Sequence, residues 1–143
     1  MFGVRKAIDK DEEILVETNE VAVPRSMAPE ILEDIRLWGS QTQLTLNEAT
    51  SVAFLKVNPA QALSEQSHKL RSELWIVVSG EMDVELDGVI TRLSGFGARV
   101  FIPVGAHHRA YGLEAPCTYL EVAYGFYDPE DITRYKDMYN RAT

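Results

Sequence analysis

Gln66-Ser67-His68-Lys69-Leu70-Arg71-Ser72-Glu73-Leu74-Trp75-Ile76-Val77-Val78-Ser79-Gly80 is the stretch on which the fold turns. Its first half carries donor side chains and its second half is a strand. Residues 74–78 are apolar, β-branched and aromatic, and Ser79-Gly80 closes them as a turn. Gln66 and His68 stand two apart, so on an extended chain they share one face. Glu73 shares a parity with Trp75 and Val77, which demands a bend across residues 69–72. A second stretch complements the first. Gly97 leads through Arg99-Val100-Phe101-Ile102 into the turn Pro103-Val104-Gly105, followed by Ala106-His107-His108. On neighbouring strands, Gln66, His68, Glu73 and His108 would aim two imidazoles, a carboxylate and an amide into one cavity. That mixture suits Zn, Mn, Fe, Ni or Co better than a soft ion such as Cu(I).

Outward from these stretches the chain reads as short strands. Met82, Val84 and Leu86 alternate with Asp83, Glu85 and Asp87, the pattern of a half-buried strand. Asp87-Gly88 is a two-residue hairpin signal, so residues 89–93 return beside it. Residues 52–57 and 118–123 are further candidates. Many short strands between turn residues predict an all-β sandwich or barrel.

The ends read differently. Residues 13–16 and 20–23 look like short strands, and Ile31, Leu32, Ile35 and Leu37 stand at near-helical spacing, predicting a short helix over 29–37. Asp128 as N-cap and Pro129 at the first helical position predict a short C-terminal helix, with Ile132, Tyr135 and Met138 facing the core. Residues 1–35 thus form an expected N-terminal arm, and residues 36–143 the barrel. Trp38-Gly39 is expected to pin the barrel's opening strand.

Composition bounds the function classes. The chain has 143 residues, one domain's worth, with 45% hydrophobic and 25% charged residues. A net charge of −8 argues against nucleic-acid and anionic-lipid surfaces. Cys117 is the single cysteine, so neither an intrachain disulfide nor a thiolate zinc site is available. Met1-Phe2-Gly3-Val4-Arg5-Lys6 precedes charged residues rather than an apolar run, so no signal peptide is expected, and a cytoplasmic setting fits. No apolar run approaches the roughly 18 residues of a membrane-spanning helix.

The two stretches resemble the paired motifs of the cupins. Gln66-x-His68-x4-Glu73-x6-Gly80 is similar to the first, with Gln66 in place of the leading His and Ala60 where a Gly usually stands. Gly97-x5-Pro103-x-Gly105-x2-His108 is similar to the second, with Gly112 where an Asn is usual. Within the cupins the chain resembles the type II mannose-6-phosphate isomerases over about residues 36–141. Arg36-Leu37-Trp38-Gly39-Ser40, residues 66–80, Ile102-Pro103-Val104-Gly105-Ala106-His107-His108-Arg109 and the ending through Glu130-Asp131-Ile132 carry that likeness. Lys69-Leu70 replace two histidines of the family's His run, and Leu74 replaces the His before the tryptophan.

The resemblance implies a double-stranded β-helix (jelly-roll) barrel, a homodimer, and a divalent metal, first of all zinc. Gln66, His68, Glu73 and His108 are the implied ligands. The implied activity is a metal-dependent conversion of mannose 6-phosphate to fructose 6-phosphate, with Arg71 and Glu73 as catalytic residues. Lys69, Arg71 and Arg109 are the cations available to a phosphate. The alternatives are a cupin that binds a sugar or small acid without turnover, and another cupin metalloenzyme such as a dioxygenase or sugar epimerase. Set against these roles, His107 and Trp75 read as structural, Glu73 as a partner for Arg71 or Arg99, and Arg71 and Lys69 as solvated loop charges.

Overall fold

The computed structural model describes residues 24–141. The expected strands over 13–16 and 20–23 lie outside them. Eleven strands are formed among the described residues, with no α-helix. A first hairpin pairs β1 (Leu32–Arg36) with β2 (Gly39–Gln43). A four-stranded antiparallel sheet runs in the order β3 (Thr50–Val57), β10 (Cys117–Gly125), β5 (Arg71–Ser79), β8 (Arg99–Ile102). A five-stranded sheet faces it, in the order β11 (Thr133–Lys136), β4 (Glu65–Ser67), β9 (His108–Gly112), β6 (Glu81–Leu86), β7 (Val89–Ser94). This is the expected cupin jelly roll. Its ladder is not closed into one ring, so edge strands remain, contrary to full barrel closure.

The core lies between the two sheets. Trp75 and Val77 from β5, Met82 and Val84 from β6, Ile102 from β8, Ala110 from β9 and Tyr119 from β10 fill it. A second cluster covers the outer face of the four-stranded sheet, where Leu74, Ile76, Val122 and Tyr124 pack under Ile31 and Leu44. Burial on both faces explains why β5 reads as a continuous apolar run rather than an alternation. β6 and β7 realise the predicted hairpin, with Leu86 opposite Val89 across Asp87-Gly88.

Both expected helices are strands instead. β1 occupies the first, because Ile35 and Leu37 find nothing to pack against: they are 86% and 109% exposed. A helix lacking a buried stripe gains little over a hairpin with a complete ladder. Trp38 sits at that hairpin's tip, 73% exposed, and pins nothing. At the C-terminus the N-cap chemistry does form one turn. Glu130 N–H donates to Asp128 Oδ1 at 2.9 Å, and Asp131 N–H to the Asp128 carbonyl at 3.0 Å. The turn goes no further. The Asp131 carboxylate is taken by the backbone of residues 69 and 70, and Thr133 and Arg134 pair with Ser67 and Gln66. Tyr135 and Met138 remain about half exposed rather than in the core.

Candidate metal centre

The Pro103-Val104-Gly105-Ala106 turn joins the two stretches. Ala106 N–H donates to the Pro103 carbonyl at 3.2 Å, and Gly105 takes φ +79°, the left-handed conformation such a turn needs at its third position. Gly105 N–H then donates to the His68 carbonyl at 2.8 Å. β4 lies beside β9 with Gln66 directly opposite His108, so these two share a face. The predicted bend falls at Lys69-Leu70, and β5 then presents Glu73 inward beside Ile102 and Ala123.

His68, Glu73 and His108 converge, all three buried. Glu73 Oε1 lies 3.3 Å from His68 Nε2 and 3.1 Å from His108 Nε2. Donors about 2.1 Å from one ion would stand about 3.0 Å apart at octahedral angles and about 3.4 Å apart at tetrahedral ones. The observed spacings fall in that interval.

The ring tautomers are set by backbone carbonyls, which can only accept. His68 Nδ1–H donates to the Asp131 carbonyl at 2.7 Å, and His108 Nδ1–H to the Ala106 carbonyl at 2.9 Å. With the proton on Nδ1, His108 turns a bare Nε2 lone pair towards Glu73, and the His68 Nε2 lone pair faces the same carboxylate while accepting from Arg71 Nη2 at 3.2 Å. His108 Nε2 and Glu73 Oε1 are buried with no hydrogen-bond partner. Unpaired lone pairs facing one another in a dry interior call for a cation between them. Two imidazole nitrogens and a carboxylate oxygen, each imidazole braced by a carbonyl, are a donor set that fits a borderline divalent ion.

A second carboxyl stands beside the first. Glu121, on β10, is buried and faces inward beside Glu73. Burial, with the Glu73 charge and a hydrogen bond to it, pushes Glu121 up to about 8. Glu121 was not among the expected site residues. Its signal is the alternation Tyr119, Glu121, Ala123, which puts an acid at a core-facing position of a strand. In the sequence, Asp131 stands out only within the expected C-terminal helix and the Glu130-Asp131-Ile132 likeness, not as a site residue.

The expected cations are dispersed. Arg71 is 6% exposed, with Nη2 donating to His68 Nε2 at 3.2 Å and Nη1 to the Asp128 carbonyl at 3.2 Å. Its Nε lies 3.8 Å from Glu73 Oε2, and the guanidinium stacks 4.3 Å from the Tyr127 ring centroid. Lys69 is exposed on the bend. Arg109 neighbours His108 on the same strand and so takes the opposite face, where Nε donates to the Leu63 carbonyl at 2.7 Å. Gln66 shares the His108 face, with Oε1 accepting from Ser64 Oγ at 3.3 Å. His107 stacks on Tyr135 at 3.9 Å, outside the cluster, and Trp75 is fully buried in the core, edge-on to His108.

The family described as "Mannose-6-phosphate isomerase C-terminal" matches residues 25–137, most of the chain. The chain belongs to this family. A mannose-1-phosphate guanylyltransferase of Escherichia coli strain K12 is 30% identical over 145 residues, covering 92% of this chain and 30% of the relative. An alginate biosynthesis protein of Pseudomonas fluorescens is 34% identical over 121 residues, covering 83% of this chain and 25% of the relative. A xanthan biosynthesis protein of Xanthomonas campestris pv. campestris strain B100 is 30% identical over 143 residues, covering 99% of this chain and 30% of the relative. The family member described here thus spans less than a third of these relatives' length. Among solved structures, a 3,4-ketoisomerase from Helicobacter canadensis superposes with a TM-score of 0.61 at 16% identity, covering 73% of this chain and 86% of its own. An epimerase from Legionella pneumophila acting on a dTDP-linked deoxysugar superposes at 0.56 and 19% identity, covering 83% and 78%. At such identities these two show the fold alone.

The relatives correct the expected activity. They are named for guanylyl transfer to mannose 1-phosphate and for alginate and xanthan biosynthesis, not for interconverting mannose 6-phosphate and fructose 6-phosphate. What they support is membership of an enzyme family of sugar metabolism. Among the described residues no helix is long and apolar enough to cross a membrane.

Proposed function

We propose that this chain is the metal-binding cupin unit of a carbohydrate-biosynthetic system, holding a phosphorylated sugar at one divalent ion. His68, Glu73 and His108 would hold that ion, with Gln66 adding an amide oxygen once it turns from Ser64. Zinc, manganese, iron, nickel and cobalt suit this set. The observation that carries the reading is the convergence of two carbonyl-braced imidazoles on one buried, ionised carboxylate.

When bound, such an ion supplies Lewis acidity to a sugar hydroxyl or carbonyl oxygen. The chain's own residues would do the rest. Arg71, wedged between Glu73 and Tyr127, keeps a positive charge beside the carboxylate's second oxygen. Protonated Glu121 offers an O–H to Glu73 inside the barrel. Lys69, exposed on the bend beside His68, is the cation free to meet a phosphate; Arg109 faces the other way.

Elemental analysis of the purified protein, with thermal-shift titration of Mn, Co and Zn and then of hexose phosphates over the loaded form, tests the reading. One equivalent of a divalent metal, and a further rise in Tm with a sugar phosphate that inorganic phosphate does not match, are expected. A protein that neither carries nor takes up these ions overturns the metal reading. A loaded protein indifferent to every hexose phosphate overturns the ligand class.

A further inference from the structure

Asp131 touches the metal loop through three separate atoms. Its carbonyl accepts His68 Nδ1–H at 2.7 Å, its Oδ1 accepts Lys69 N–H at 2.9 Å, and its Oδ2 accepts Leu70 N–H at 2.9 Å. Arg71 Nη1 reaches the same carbonyl at 3.5 Å. One residue, 63 positions from His68, thus engages four consecutive residues of the loop. The Lys69 and Leu70 amides sit at a bend, where no neighbouring strand takes them, and the carboxylate stands in for that strand.

We infer that Asp131 is the positioning residue of the metal centre: its carboxylate locks the bend so that its carbonyl meets His68 Nδ1 and the proton-free Nε2, which accepts from Arg71 Nη2, faces Glu73. This rests on the reading of His68 as a ligand. The physical logic is tautomeric. An imidazole with its proton on Nε2 would aim a hydrogen at Glu73 and satisfy the carboxylate without an ion. A hydrogen-bond acceptor at Nδ1 favours the opposite tautomer and raises ligand basicity. The Asp131 carbonyl belongs to the backbone and survives any substitution, so the side chain acts by placing it. Removing both carboxylate oxygens leaves two bend amides without partners and frees the carbonyl to drift from the ring. The C-terminal segment therefore matters to metal binding though it contributes no ligand.

The test uses the full chain, stripped of metal, as wild type, Asp131→Ala and Asp131→Asn. Long-range 1H–15N correlation spectra of the histidine rings report tautomers without any metal. Cobalt(II) titration, followed by visible absorption and calorimetry, reports the loaded site. Wild type should show Nδ1–H at both His68 and His108. In Asp131→Ala, His68 should become a tautomer mixture while His108 does not change, cobalt affinity should fall by about 10- to 100-fold, and the absorption band should shift. Asp131→Asn, which keeps one acceptor oxygen, should fall between the two. If Asp131→Ala does not fold, Asp131→Asn carries the same readouts. A variant with wild-type cobalt affinity, spectrum and His68 tautomer overturns the inference. A wild type that takes up no cobalt overturns the metal reading instead, and the tautomer spectra still decide the role of Asp131.

Discussion

His68 and His108 face the same carboxylate with the same ring nitrogen, Nε2, yet they are held in opposite ways. His108 is braced by the carbonyl of Ala106, two residues away in its own turn. His68 is braced by Asp131, on a segment at the other end of the chain. The first arrangement comes with the turn that Pro103 and Gly105 dictate. The second exists only once the C-terminal segment has docked. One ring is thus preorganised locally and the other by tertiary contact. Local bracing is insensitive to distant change, whereas tertiary bracing couples the site to the segment that supplies it.

Six substitutions probe this difference and the site around it, the largest effect first. His68→Ala or His108→Ala should each cost at least about 100-fold in divalent-metal affinity, because neither ring has a substitute and Glu73 is left facing an incomplete set. Calorimetric titration with zinc or cobalt measures it, and an unchanged affinity in either variant would remove that residue from the site. Asp131→Ala comes next and should act on His68 alone, as set out above. An equal disturbance of both rings would mean that the two are not held independently.

A smaller effect concerns the neighbouring acid. Glu121 is raised to about 8 by burial and by Glu73. A carboxyl raised in the folded state contributes its full stability below the ordinary value near 4.5, and that contribution is lost as pH climbs through the raised value. Metal-free protein should therefore lose resistance to urea steadily from about pH 5 to about pH 8, and Glu121→Gln should flatten the slope. A slope unchanged by that substitution would place the titrating group elsewhere. The smallest effect is expected at Arg109. Facing away from His108, Arg109→Ala should change metal and sugar-phosphate affinity by less than about twofold, whereas Lys69→Ala should weaken sugar-phosphate binding measurably. Equal losses at both would contradict the strand parity that turns Arg109 away from His108.

Much of the site was legible because its signals are local. The strand over 74–78, the hairpin at Asp87-Gly88, the turn at Gly105 and the bend before Glu73 all follow from residue type and two-residue parity, and three of the four expected ligands converge. What was not legible depends on contacts distant in sequence. The Asp128-Pro129 pair carries genuine helix-opening chemistry and forms its one turn, but β11 is decided by pairing with β4, which no local pattern reveals. Asp131 and Glu121 drew no attention because one was absorbed into that helix and the other was hidden inside a strand. Arg109 followed His108 in sequence and was grouped with the site, although adjacent strand residues point apart. Trp38-Gly39 was expected to pin the barrel's opening strand, and instead Trp38 caps an exposed hairpin.

The central claim is that His68, Glu73 and His108 share one divalent ion. Anomalous diffraction from crystals soaked with zinc or manganese tests it most directly. A single strong peak about 2.0–2.3 Å from His68 Nε2, His108 Nε2 and a Glu73 carboxylate oxygen is the predicted result. No peak there in a soaked crystal, or one bound by other side chains, would contradict it.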